Sequence, residues 1–235
     1  MRIAFVGDSL TAGTPGCSYF ELLEARLPEH VLFNLGKGND TVLSLYRRMR
    51  EERLPDALDL AFLWIGVNDV RRDAGWLFRL FNVLLGQRST DDPDEFRRAY
   101  EATLDLLAAQ AHRIVAVSPF LKGEDVASRE NRRLQALAEV VGELARQREE
   151  VRHLDVRTPI LERLKDLPTS TYLPSTVLDV AWDVVARRDC EQVNRVSAER
   201  GLHFTLDGIH LNGRGAAFVA AEFAGVIDEL AREGP

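Results

Sequence analysis

Five short apolar, β-branched or aromatic runs punctuate the chain, at Ile3–Val6, Val31–Phe33, Leu58–Ile65, Arg113–Val117 and Val151–Val156. Each is too short for a helix and is predicted to be a buried strand. The stretches between them carry apolar residues at helical spacing. Leu22, Leu23, Ala25 and Leu27 precede Pro28, and Val42, Leu45, Tyr46 and Met49 follow Thr41. Tyr100, Leu104, Leu107 and Ala111 repeat the pattern, as do Leu134, Leu137, Val141 and Leu144. Strands alternating with helices call for a parallel sheet covered on both faces, the α/β class. Proline or glycine marks the junctions, for example at Pro28, Pro55, Pro119 and Gly201. In open sheets of this kind ligands bind beyond the carboxyl ends of the strands, so chemistry is expected there.

Two connections are longer than a simple crossover needs. Residues 70–95 contain a helix candidate at Trp76–Leu85, and residues 166–206 one running from Thr176 to Glu199. Both are read first as helices packed on the core. The alternative is that they wall an apolar substrate pocket, since they adjoin the motifs below.

Composition narrows the class. A length of 235 residues fits one domain spanning 1–235, and 46% hydrophobic with 29% charged residues suits a globular core. A net charge of −7 argues against a nucleic-acid partner, which needs a basic face. No apolar run is long enough to span a membrane. Cys17 and Cys190 are the only cysteines, with no CxxC and no paired spacing, which argues against a disulfide framework and a zinc site. With no secretory apolar segment before the first strand, the expectation is a cytoplasmic protein.

Three short motifs fall where chemistry is expected: Gly7-Asp8-Ser9-Leu10 after the first strand, Gly66-Val67-Asn68-Asp69 after the third, and Asp207-Gly208-Ile209-His210 near the end. Singly, each has a plain structural reading: Ser9 as a helix cap, Asn68 as a turn residue, His210 as a loop histidine. Together they supply a hydroxyl nucleophile, an imidazole base, a carboxylate to orient it and an amide donor for an oxyanion. Asp207 and His210 are three residues apart, so one turn can bring the carboxylate to Nδ1–H and leave Nε2 for Ser9.

These motifs resemble the SGNH hydrolases, also called GDSL esterases and lipases. Asn34-Leu35-Gly36-Lys37-Gly38-Asn39-Asp40-Thr41 looks like the family's second block, and the four blocks stand in family order from position 7 to 212. The resemblance implies a flavodoxin-like three-layer α/β/α sandwich with about five parallel strands. It implies Ser9 as nucleophile, His210 as base, Asp207 as its orienting acid, and Ser9 N–H, Asn39 and Asn68 as oxyanion donors. The family has glycine before Asp-Thr where this chain has Asn39, so Gly38 is the alternative to Asn39. The implied substrate is a small-molecule ester, with no cofactor and no metal. Carbohydrate acetylesterase, thioesterase or acyltransferase chemistry would use the same residues, and a non-catalytic binding module is the reading from another class.

The remaining candidates are read as structural. Asp8 and Asp69 brace loops, Asp40-Thr41 begins a helix, and His30, His112, His153 and His203 are structural or solvated. Arg47-Arg48, Arg71-Arg72 and Arg132-Arg133 are read as solvated helix faces, with Arg71 and Arg72 as possible contacts for an anionic substrate.

Overall fold

The computed structural model describes residues 1–70, 89–90, 92–173 and 189–233. The Trp76–Leu85 helix candidate, Arg71, Arg72 and the first part of the Thr176–Glu199 candidate lie outside the described residues.

Five strands form one sheet: β1 (Arg2–Gly7), β2 (Val31–Gly36), β3 (Leu58–Trp64), β4 (Ala111–Val117) and β5 (Val151–Leu154). All pairings are parallel and the order is β2-β1-β3-β4-β5. Ile3, Ala4, Phe5 and Val6 are fully buried, as a strand covered on both faces must be, which is why β1 reads as an unbroken apolar run. β2 is an edge strand and stays half exposed.

The described helices are α1 (Ser9–Ala12), α2 (Tyr19–Arg26), α3 (Val42–Glu51), α4 (Pro93–Ala108), α5 (Arg129–Arg146), α6 (Thr158–Lys165), α7 (Cys190–Glu199) and α8 (Gly213–Glu233). Helices α2 and α8 cover one face, where Phe223 stacks on Phe62 and Phe5 and meets Tyr19 and Trp64 edge-on. Helices α3, α4 and α5 pack side by side on the other. The result is the predicted three-layer α/β/α sandwich. One boundary differs from expectation: Ala111 opens β4, and α4 ends at Ala108, because the Ala109-Gln110 turn closes the helix first.

Cys17 and Cys190 form a disulfide, with Cα atoms 5.2 Å apart, which corrects the expectation against a disulfide. Their separation of 173 residues gives no spacing signal. Tertiary packing brings the turn after α1 to the start of α7.

Candidate active site

The strand order reverses beside β1: the chain steps from β1 out to β2 on one side, and β3 lies on the other. The crevice at such a switch point is where open α/β sheets bind ligands. Ser9 follows β1 and Asn68 follows β3, so both stand at its mouth.

Local chemistry explains the presentation of Ser9. Asp8 caps α1, its Oδ1 accepting from Leu10 N at 2.9 Å, so Ser9 becomes the first helical residue. Gly7 must be glycine there, since a Cβ would collide with the Trp64 carbonyl oxygen and the Thr11 side chain. As the first residue of a helix, Ser9 has no earlier carbonyl in the helix to receive its N–H.

From the far end of the chain comes His210. Its Nε2 lies 3.0 Å from Ser9 Oγ, and its Nδ1 lies 2.7 Å from Asp207 Oδ2. The other oxygen of Asp207 accepts from Ile209 N at 2.9 Å and His210 N at 2.8 Å. Burial pushes the Asp207 carboxyl up, but the facing His210 and these N–H donors outweigh it and hold the group below its ordinary range. Burial pulls His210 down, but the charge and hydrogen bond of Asp207, with Asp8 nearby, leave it raised. An aspartate kept ionised beside an imidazole is the electrostatic arrangement of a general base.

The second block abuts the same spot: Lys37 N donates to Gly7 O at 3.0 Å. Asn39 takes a left-handed φ of 63°, which asparagine tolerates better than most residues, whereas Gly38 has nothing near where a Cβ would sit. The conformation that favours glycine therefore falls at Asn39. The next residue, Asp40, accepts the Asn68 amide on its backbone oxygen at 3.0 Å. An amide nitrogen carries two hydrogens, and this bond uses one of them.

Asp8 and Asp69 brace the loops as predicted. Asp69 accepts from Val42 N at 3.0 Å and Thr90 N at 3.5 Å, and burial raises it to about 8. Asp8 Oδ2 is buried without a hydrogen-bond partner among the described residues, and burial raises that carboxyl to about 7. Arg48 departs from its reading as a solvated arginine. It is nearly buried, pairs with Asp40 at 2.9 Å and donates to Leu35 O at 3.0 Å, tying α3 to the second block.

Two supporting residues escaped the sequence reading. Lys122 donates to Val70 O at 2.6 Å and Val67 O at 3.3 Å, closing the loop that carries Asn68. Glu124 is fully buried and accepts from His203 N, Phe204 N, Thr205 N and Thr205 Oγ1 at 2.7–2.9 Å. It holds the segment that leads into Asp207. Both follow β4 at the carboxyl edge of the sheet, which was the only available hint. Among the described residues, no group of three His, Cys, Asp or Glu side chains is placed to hold a metal ion.

Comparison with known families is decisive for the class, because residues 5–218 match the GDSL-like lipase/acylhydrolase family. The chain belongs to that family. As a GDSL hydrolase it is an ester-cleaving serine hydrolase by class. Its fold is shared with an acetyl xylan esterase, AlAXEase, at 20% identity and a TM-score of 0.61, covering 97% of this chain and 100% of that one. Axe2, an acetylxylan esterase from Geobacillus stearothermophilus, matches at 18% identity and a TM-score of 0.64, over 94% and 91% of the two chains. A lipolytic G-D-S-L family protein from Veillonella parvula matches at 16% identity and a TM-score of 0.63, over 96% and 97%. Among curated proteins no sequence matches significantly.

Proposed function

We propose that this GDSL hydrolase, as a single domain, cleaves carboxylic esters through an acyl-enzyme on Ser9. The observation that carries the reading is the continuous chain Asp207–His210–Ser9, with heavy-atom distances of 2.7 and 3.0 Å. Ser9 Oγ attacks the ester carbonyl carbon while its proton passes to His210 Nε2. The carbonyl oxygen becomes an oxyanion, met by Ser9 N–H, the Asn39 N–H and the second hydrogen of the Asn68 amide. The carbon–oxygen bond to the alcohol then breaks, and His210 returns the proton to the departing alcohol. Water, deprotonated by His210, attacks the acyl-serine and releases the carboxylic acid and Ser9. Asp207 stays ionised throughout, fixing the imidazole tautomer and balancing its transient charge. The left-handed backbone at Asn39 supports its choice over Gly38 as the second-block donor.

The named structural neighbours direct the first substrates, since two of them are acetylxylan esterases. A panel of p-nitrophenyl esters of rising acyl length beside sugar acetates, run on the wild type and Ser9→Ala, tests the reading. Hydrolysis lost in Ser9→Ala supports it, and equal rates in both proteins overturn it. No described helix is long and apolar enough to cross a membrane. The Cys17–Cys190 bond supports an oxidising compartment over the cytoplasmic expectation.

A further inference from the structure

Asp8 carries more charge than its structural task needs. Its Oδ1 caps α1 by accepting from Leu10 N at 2.9 Å, and a cap needs only one acceptor oxygen. The other partly or fully buried side-chain caps among the described helices are hydroxyls: Ser18 on α2, Thr41 on α3 and Ser128 on α5. The carboxylate caps Asp92 on α4 and Asp189 on α7 are exposed. Asp8 is instead a buried carboxyl, 1% exposed, and its Oδ2 has no hydrogen-bond partner among the described residues. Burying a carboxyl with one oxygen unpaired costs stability, and a serine at the same place would cap the helix without that cost.

Titratable groups coupled to Asp8 come from five segments: Tyr19 of α2, Asp40 of the second block, Asp69 after β3, Lys122 after β4 and His210 before α8. Four of them are engaged with groups whose charge does not change in the reaction. Tyr19 Oη donates to Thr11 Oγ1 at 3.3 Å, and Asp40 pairs with Arg48 and accepts from Ser44 Oγ at 2.8 Å. Asp69 accepts from Val42 N and Thr90 N, and Lys122 donates to Val67 O and Val70 O. His210 differs, because it gains and loses a proton during ester cleavage. Its Nε2 lies 3.0 Å from the Oγ of Ser9, the residue directly after Asp8. Burial pushes the Asp8 carboxyl up to about 7, against the pull of Leu10 N–H, His210 and Lys122, with Asp40 pushing the same way as burial. The influence is reciprocal, since Asp8 favours the protonated imidazole.

We propose that Asp8 is a positioning residue for the reaction: its ionised carboxyl, one residue before the nucleophile, supports the His210 imidazolium that forms when Ser9 gives up its proton. The proposal rests on the esterase reading above. Asp207 holds the ring by direct contact at Nδ1, whereas Asp8 acts through space. A charge in a buried site is weakly screened, so it reaches a neighbouring ion without touching it. On this account the second carboxylate oxygen, of no use to the cap, is what the aspartate contributes to turnover.

Two variants remove the charge and keep the cap acceptor: Asp8→Asn also keeps the shape, and Asp8→Ser keeps the cap alone. Thermal melting shows which of them folds. For the wild type and each folded variant, kcat and KM on one p-nitrophenyl ester are measured against pH. The His210 imidazole is titrated separately by NMR without substrate, its signals assigned with His210→Ala. In the variants the imidazole midpoint and the acid limb of kcat should move down together. Plateau kcat should fall about three- to tenfold while KM stays unchanged. A purely structural cap would alter the melting temperature and leave both midpoints in place. An active wild type whose His210 midpoint is unmoved in a folded variant, or a penalty confined to KM, overturns the proposal alone. A wild type that cleaves no ester overturns the esterase reading and the proposal with it.

Discussion

His210 Nε2 stands 3.0 Å from Ser9 Oγ although 201 positions separate the two residues. The turn after α1 packs directly on the histidine loop. Cys17 N donates to Leu211 O at 2.8 Å, and a Cβ on Gly16 would stand 3.4 Å from His210 Cβ. The turn that follows the Ser9 helix is thus tied by a backbone hydrogen bond to the residue next to His210, which makes the meeting of Ser9 and His210 a property of the fold.

That geometry has a pH signature. Opposing burial, Asp207 and Asp8 raise His210 above its ordinary 6.5, while Lys122 acts to lower it. A general base works only when neutral, so ester hydrolysis should fall on the acid side through a midpoint above 6.5. Asp207→Asn removes the largest raising influence and the tautomer lock together. Its midpoint should move down, with kcat lower by about 10³–10⁴. A kcat–pH profile of both proteins checks this, and a midpoint that does not move would contradict the assigned partnership.

Asn68 separates positioning from catalysis. Asn68→Ala should lower kcat by about 10²–10³ with little change in KM, as expected for a donor that meets charge only in the transition state. Steady-state kinetics on one ester suffice. A change confined to KM would assign Asn68 to substrate binding instead.

Glu124 is predicted to matter for stability before activity. Four donors converge on its buried carboxylate, so Glu124→Ala strands them and should cost about 3 kcal/mol, measured by urea denaturation. Glu124→Gln keeps one acceptor oxygen and should lose less. Equal midpoints for Glu124→Ala and wild type would remove the residue from the account.

The Cys17–Cys190 bond closes a loop of 173 residues. Reductant should therefore lower unfolding stability by about 2–4 kcal/mol. The double variant Cys17→Ser/Cys190→Ser should start from that lower value and ignore reductant. A wild type indifferent to reductant would contradict a formed disulfide.

What was legible in the chain follows from the range over which each feature acts. The strands were visible because a parallel strand buried on both faces leaves a continuous apolar run, as at Ile3–Val6 and Leu60–Trp64. The site blocks were visible because strand-end chemistry is local: Asp8 beside Ser9, and Asp207 three residues from His210. Glu124 and Lys122 act on backbone atoms 52–81 residues away, and no local pattern encodes such a partner. Arg48 sits beside Arg47 in a polar stretch, and only the approach of β1 and β2 turns it into a buried brace. The cysteines likewise meet only because the turn after α1 reaches the start of α7.

The most direct test of the central claim is covalent labelling. A fluorophosphonate probe, followed by peptide mass spectrometry, should place a single adduct on Ser9. Labelling should be absent in Ser9→Ala and strongly slowed in His210→Ala. An adduct on another residue, or labelling of Ser9→Ala at the wild-type rate, would contradict the assignment of Ser9 as the activated nucleophile.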